Sequence, residues 1–190
     1  MRVIAGEFCS RVLKSLPGLN TRPTPDRLRE TLFDVLAPRV PECVFLDAYA
    51  GTGAVGIEAL SRGARRAIFI EKNRAAVEVI RENLAALGAA NRADVFTGKA
   101  AQVIERTRAD IAFLDPPYEM LQEYDTSMSA LDASETPLII VQHSSRSSPQ
   151  ETYGGLERYR IIKQGDNSLS FYRKISTSGQ HARSDRQSLK

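Results

Sequence analysis

The stretch from Val44 to Leu60 constrains this 190-residue chain more than any other. Val44-Phe45-Leu46 is a short apolar run of the kind that forms a buried strand. It leads into Asp47-Ala48-Tyr49-Ala50-Gly51-Thr52-Gly53-Ala54-Val55-Gly56, and Ile57-Glu58-Ala59-Leu60 continues as a helix. A strand that ends in a glycine loop and opens a helix is a ligand-binding device. Glycines let the backbone approach a ligand closely, and the helix N-terminus adds unpaired N–H groups and a partial positive charge. A glycine-rich turn that binds nothing is the competing reading.

Gly51, Gly53 and Gly56 fit G-x-G-x-x-G, so a dinucleotide has to be considered. Asp47, however, stands at the strand end four residues before Gly51. The loop is therefore longer than the tight turn that cradles a pyrophosphate. An acid at that place suits a ligand with a cationic ammonium end, such as S-adenosyl-L-methionine. The candidate cofactor residues in the loop are Asp47, Ala50, Gly51, Thr52 and Gly53.

The rest of the chain alternates apolar runs with helical stripes. Residues 1–14 carry Gly6 and loose alternation, which predicts a small hairpin outside the main sheet. Thr21-Arg22-Pro23-Thr24-Pro25 is extended, because a residue before proline is pushed out of the helical region. Leu28, Leu32, Val35 and Leu36 then repeat at helical spacing. Strands are predicted at 44–48, 67–71, 94–97, 111–115 and 138–142, with helices at 56–62, 74–87, 100–107 and 120–131 between them. Residues 159–164 and 168–174 flank Gly165-Asp166-Asn167 as a terminal antiparallel hairpin. Strands separated by helices imply an α/β, mostly parallel sheet covered on both faces. Three parts are expected: an extension over 1–25, a main domain over 26–175 and a disordered polar tail over 176–190.

Ligands on such sheets bind beyond the C-terminal strand ends. That edge collects the glycine loop, Glu71, the turn around Lys99 and Ala100, and Asp115-Pro116-Pro117-Tyr118. Glu71 ends the second strand, 20 residues after Gly51, where an acid can accept both hydroxyls of a ribose. The Asp115–Tyr118 segment follows the apolar run Ile111-Ala112-Phe113-Leu114. Its prolines hold Asp115 extended. The Asp115 carboxylate and the Pro116 carbonyl are two acceptors, and Tyr118 offers a ring face on which a base can stack. Together they form a clamp for a planar amino group on an aromatic ring. If only the ring face of Tyr118 matters, its hydroxyl is dispensable.

Composition and charge exclude some classes. No apolar run reaches the length of a membrane span, and the start lacks a signal-peptide core, so a cytoplasmic protein is expected. Cys9 and Cys43 lack metal-ligand spacing and suggest packing roles in a reducing compartment; no metal is expected. Net charge is only +3, but residues 1–29 hold six basic against two acidic side chains. Binding of a polyanion at that end and a merely solvated face are both open.

These motifs resemble a known family. Asp47 with the glycine loop, an acid after the second strand and D-P-P-Y after the fourth look like an S-adenosylmethionine-dependent amino methyltransferase. Arg2-Val3-Ile4-Ala5-Gly6, Thr21-Arg22-Pro23-Thr24, Asp26-Arg27-Leu28-Arg29-Glu30, Ala50-Gly51-Thr52-Gly53 and Gly56-Ile57-Glu58-Ala59-Leu60-Ser61-Arg62-Gly63 resemble the RsmD family, from Met1 to about Lys174. The resemblance implies a class I, Rossmann-like methyltransferase fold with a mostly parallel seven-stranded sheet, a C-terminal antiparallel hairpin and a small N-terminal hairpin extension. It implies S-adenosyl-L-methionine as methyl donor and the exocyclic N2 of a guanine in bacterial 16S ribosomal RNA, guanine 966, as acceptor. It also implies the small ribosomal subunit as partner, with the enzyme a monomer. On this reading Asp115, Pro116, Pro117 and Tyr118 are catalytic, and Arg2, Arg11, Lys14 and Arg22 contact phosphates.

Two departures stand out. Family members usually carry Gly-Asp-Ala after the third strand, where the aspartate meets the adenine amino group; here the sequence is Gly98-Lys99-Ala100, and lysine has no acceptor. They also tend to have Glu-His-Ser after the fifth strand, where this chain has Gln142-His143-Ser144, and His143 is expected to be structural. Alternatives that stay open are a DNA adenine-N6 or cytosine-N4 methylase, an NAD-dependent oxidoreductase, and a catalytically silent RNA-binding module.

Overall fold

The computed structural model describes residues 1–16 and 26–175. Arg22, the proline-rich segment around it and the tail expected over 176–190 lie outside the described residues. Asp26–Leu36 forms α1, whose Leu28, Leu32, Phe33 and Leu36 are buried on one stripe. The alternating core follows as β1 (Val44–Asp47), α2 (Ala54–Ser61), β2 (Arg66–Glu71), α3 (Arg74–Ala86), β3 (Ala93–Thr97), α4 (Ala100–Ile104), β4 (Ile111–Leu114), α5 (Leu121–Ala133) and β5 (Leu138–Ser144). It closes with β6 (Thr152–Tyr153), β7 (Leu156–Gln164) and β8 (Asn167–Lys174). The sheet order is β3-β2-β1-β4-β5-β8-β7-β6. β3, β2, β1, β4 and β5 are parallel, and β8, β7 and β6 join them antiparallel.

Alternation along each strand builds the two layers. Phe45, Phe113, Ile140 and Phe171 face α1 and α2, while Leu46, Ala112, Ile139 and Tyr172 face α4 and α5. On β2, Ala67 and Phe69 meet α2 and α3, and Ile68 and Ile70 meet the other layer. Such strands are buried on both faces, which is why they read as unbroken apolar runs.

Several expectations need correction. The sheet has eight strands, not seven, because two-residue β6 pairs with the start of β7 and is too short to leave a sequence pattern. β7 starts at Leu156, not Tyr159, and Asn167 is the first residue of β8, so the closing turn is the pair Gly165-Asp166. α2 starts at Ala54, because Gly53 already turns the chain with φ of 85°. α4 ends at Ile104, where the Arg106 and Thr107 amides turn back to Val103 and Ile104.

The N-terminal hairpin is real only in outline. It has one antiparallel bridge, Arg2 to Val12, with the Val3 amide donating to the Arg11 carbonyl. What holds it is docking on the helices. Glu58 of α2 is fully buried and accepts from the Ile4 and Ala5 amides at 2.8 and 3.0 Å. Buried Arg29 of α1 donates to the Arg2 carbonyl at 2.6 Å. Gly6 is required at this contact: a Cβ there would lie 1.9 Å from the Ser61 carbonyl oxygen. Val3, Phe8 and Leu13 complete a shared core with α2 and α3. Cys43 is buried as expected, but Cys9 is exposed, its thiol donating to the Ile4 carbonyl at 3.1 Å.

Candidate active site

A cleft of about 570 Å³ opens at the C-terminal ends of β1, β2 and β4. It sits where the strand order reverses, with β2 on one side of β1 and β4 on the other. Open α/β sheets bind ligands at this switch point. Its size is that of sites that take nucleoside-sized ligands.

Asp47 ends β1 and is 2% exposed. Its Oδ2 accepts the Gly56 amide of α2 at 2.9 Å. Burial, reinforced by nearby Glu71 and opposed by that hydrogen bond, pushes its carboxyl up to about 7. Asp47 thus pins the root of the loop and keeps a proton-sensitive acid at the cleft. The three glycines have different jobs. The Gly51 amide donates to Glu71 Oε2 at 2.9 Å, and the space beside its α-carbon is open. Gly53 is the N-cap of α2 and does not line the cleft. Gly56 lets α2 approach β2, since a Cβ would lie 2.3 Å from the Phe69 ring.

Glu71 Oε1 accepts the Asn73 amide at 2.8 Å. Both carboxylate oxygens therefore hold one backbone amide and retain lone pairs for further donors. Ala50, Thr52, Lys99 and Ala100 line the same cleft. Lys99 precedes α4 without capping it through its side chain.

Asp115, Pro116, Pro117 and Tyr118 form the facing wall. The segment is held from behind. Buried Tyr124 of α5 donates to the Pro116 carbonyl at 3.3 Å and to the Gln142 carbonyl at 3.4 Å. Burial, then the Asp115 charge, drives the Tyr124 phenol upward, so it stays a neutral donor. The Tyr118 hydroxyl donates to Asn167 Oδ1 at 2.8 Å and accepts from Gln142 Nε2 at 3.2 Å. Tyr49 ties the glycine loop to α5 through Glu123 Oε2 at 2.9 Å and the Ser127 hydroxyl at 2.7 Å. Tyr49, Tyr124 and Asn167 have no role in the sequence reading. Gln142 entered it only as a departure.

The basic residues lie elsewhere. Arg2, Arg11 and Lys14 do not line the cleft, although Met1 does. Arg11 donates to the Ala86 carbonyl at 3.2 Å, and Lys14 pairs with Glu82 at 2.9 Å on the surface. Asn83 links this segment to the loop: it accepts the Lys14 amide at 2.8 Å and donates to the Thr52 carbonyl at 3.2 Å. Among the described residues no acidic, histidine and cysteine group is arranged to hold a metal ion, and no helix is long and apolar enough to cross a membrane.

Sheet order, glycine loop and cleft together define a Rossmann-like methyltransferase fold. The yhhF protein of Escherichia coli superposes with a TM-score of 0.81 at 30% identity, over 93% of this chain and 98% of that one. An RNA methyltransferase of Salinibacter ruber, solved with S-adenosyl-L-homocysteine, shares the fold at 17% identity with a TM-score of 0.63, over 82% and 97% of the two chains. The chain belongs to the RsmD family, whose model, described as Conserved hypothetical protein 95, matches residues 1–173. YlbH of Bacillus subtilis is 32% identical over 183 residues, 92% of this chain and 99% of that one. Ribosomal RNA small subunit methyltransferase D of Escherichia coli K12 is 41% identical over 119 residues, 62% of this chain and 60% of that protein.

Proposed function

We propose that this chain transfers a methyl group from S-adenosyl-L-methionine to the exocyclic N2 of a guanine in small-subunit ribosomal RNA, guanine 966 of 16S RNA by family resemblance. The observation that carries the reading is the meeting of two half-sites in one cleft: the acid-rimmed glycine loop on one wall and the Asp115–Tyr118 segment on the other. The name of the Escherichia coli relative, a ribosomal RNA small subunit methyltransferase, and the ligand of the Salinibacter ruber structure support it.

When bound, S-adenosyl-L-methionine supplies an electrophilic methyl carbon on a sulfonium. Asp47 is the counter-charge for its ammonium end, and Glu71 accepts its ribose hydroxyls. The guanine amino group is a poor nucleophile, because its lone pair is delocalised into the ring. Asp115 and the Pro116 carbonyl accept its two N–H bonds, favour pyramidal nitrogen and stabilise the positive charge that develops there as the N–C bond forms and the S–C bond breaks. The methylated nitrogen then gives up one proton along the Asp115 hydrogen bond to solvent, leaving neutral N2-methylguanine and S-adenosyl-L-homocysteine. The Tyr124 hydroxyl fixes that carbonyl in place. The Tyr118 ring holds the base, which must leave its stack to reach the cleft. Arg2, Arg11, Lys14 and Arg22 supply phosphate contacts, and alignment supplies much of the acceleration.

The test is mass-spectrometric mapping of ribosomal RNA methylation in a strain lacking the protein. One N2-methylguanine is expected to disappear and to return with the wild-type gene. Asp115→Ala should fail to restore it, and in single-turnover transfer should lose about 100- to 1000-fold in rate. Asp115→Asn, which keeps one acceptor, should retain partial activity. A folded Asp115→Ala protein with near wild-type rate would overturn the clamp, and an unchanged methylation map would overturn the substrate.

A further inference from the structure

Beside the cleft lies a second cavity of about 250 Å³, and the two share Tyr118. Its walls are the start of α5, with Leu121 and Tyr124, and the segment 144–150 after β5, with Ser147 and Ser148. Methyl transfer as derived above uses none of that segment. It is nevertheless held in shape from three sides. His143 is 1% exposed, and its Nδ1 lies 2.8 Å from the Ser144 carbonyl and 3.1 Å from the Ser147 carbonyl. Nδ1 therefore carries the proton, and Nε2 accepts from the Ser170 hydroxyl at 2.8 Å. Burial lowers the tendency of this ring to take a second proton, so the arrangement persists across neutral pH. At the far end, Gln150 donates to Asp125 Oδ1 of α5 at 3.0 Å, and its amide donates to the Tyr153 hydroxyl at 3.1 Å.

The lining has a definite chemical character. Tyr118, Tyr153 and Leu121 supply flat and apolar surface, and the serines supply hydroxyls that donate or accept. Leu121 is 61% exposed and neighbouring Met120 41%, which makes this rim apolar. Arg146, on the same segment, has an 89% exposed side chain whose ion pair with Asp166 is long, at 3.9 Å. Stacking surface, an adaptable polar edge and an outlying cation are what an unstacked nucleotide needs. Continuity through Tyr118 places such a nucleotide next to the acceptor base.

We propose that this cavity takes the base of a nucleotide adjacent to the target in single-stranded RNA, with Arg146 as the cation for its backbone. The inference rests on the RNA methyltransferase reading above. The test is a binding cycle at saturating S-adenosyl-L-homocysteine. RNA spanning the mapped methylation site is compared with the same RNA made abasic immediately 5′ or 3′ of the target. Wild type should lose about tenfold in affinity for one of the two abasic RNAs, the scale of one stacked base. In Leu121→Glu that penalty should fall below about twofold, because the apolar wall that holds the base against the tyrosine rings is replaced by a carboxylate. Glutamate is well placed in the first turn of a helix, so folding is preserved. S-adenosyl-L-homocysteine affinity should not change. Equal affinity of wild type for intact and both abasic RNAs overturns the proposal, as does an undiminished penalty in Leu121→Glu. If wild type methylates no RNA at all, the parent reading fails, and this inference with it.

Discussion

The Tyr118 hydroxyl donates to Oδ1 of Asn167 at 2.8 Å, tying the loop after β4 to the first residue of β8, 49 positions away. Asn167 is itself 6% exposed, and Gln142 of β5 donates to the same hydroxyl. The hydroxyl of Tyr118 is thus held by two strands, and these hydrogen bonds orient its ring. Asn167→Ala should slow single-turnover methyl transfer about 2- to 10-fold, the worth of one hydrogen bond, and Tyr118→Phe, which removes the Gln142 bond as well, by at least that much. Cofactor affinity should hold. Tyr118→Ala should lose more, because about 1–3 kcal/mol of stacking goes as well. A Tyr118→Phe rate equal to wild type would mean that the ring is positioned by packing alone.

Asp47 gives a pH signature. Its carboxyl is raised to about 7, above the ordinary aspartate value of 3.8. The folded state therefore prefers the protonated form. That contribution to stability is fully present below the ordinary value and is lost as pH rises through about 7. Asp47→Asn should accordingly melt higher than wild type at pH 8 and lose this advantage near pH 4. The α-amino group of S-adenosyl-L-methionine stays charged below about 7.7. Wild-type affinity should therefore rise between pH 5.5 and 7 as Asp47 ionises, and the slope should vanish in Asp47→Asn. Calorimetry across that range checks both, and parallel slopes would show that Asp47 does not meet the ammonium end.

Much of the site was legible because a parallel sheet gathers its strand ends on one edge. Asp47, Glu71 and Asp115 each follow an apolar run, and that position alone assigns them to one cleft. The supports were not legible. Glu58 meets Ile4 and Ala5 across more than fifty residues, and Tyr49 meets Ser127 across 78. Hydrogen bonds over such separations leave no period or local motif in the chain. The N-terminal segment closes on one bridge outside the main sheet, as its alternation suggests, but its docking was illegible for the same reason: the Ile4, Ala5 and Phe8 amides pair with side chains on α2.

The basic segment should affect RNA and nothing else. Lys14 and Glu82 have side chains 67% and 53% exposed, so their pairing contributes little and Lys14 can exchange it for a phosphate. Replacing Arg2, Arg11 and Lys14 together with alanine should weaken RNA binding and flatten its salt dependence by about 0.7–0.9 per lost contact. Cofactor affinity and melting temperature should stay close to wild type. An unchanged salt slope would move the docking surface to another face.

Lys99 offers a gain-of-affinity test. It lines the cleft at the start of α4, where its side chain makes no cap, and a cation beside a helix N-terminus is unfavourable. Lys99→Asp reverses both terms. An aspartate at this position can accept a helix amide, worth about 0.5–2 kcal/mol of stability. If the adenine edge lies here, it also supplies an acceptor for the exocyclic amino group, and a net hydrogen bond of about 0.5–1.5 kcal/mol corresponds to about 2- to 10-fold in affinity. The expected result is tighter S-adenosyl-L-methionine binding together with a higher melting temperature. The two readouts separate the causes: a higher melting temperature with unchanged affinity would assign Lys99 to the helix end alone and place adenine recognition on the backbone.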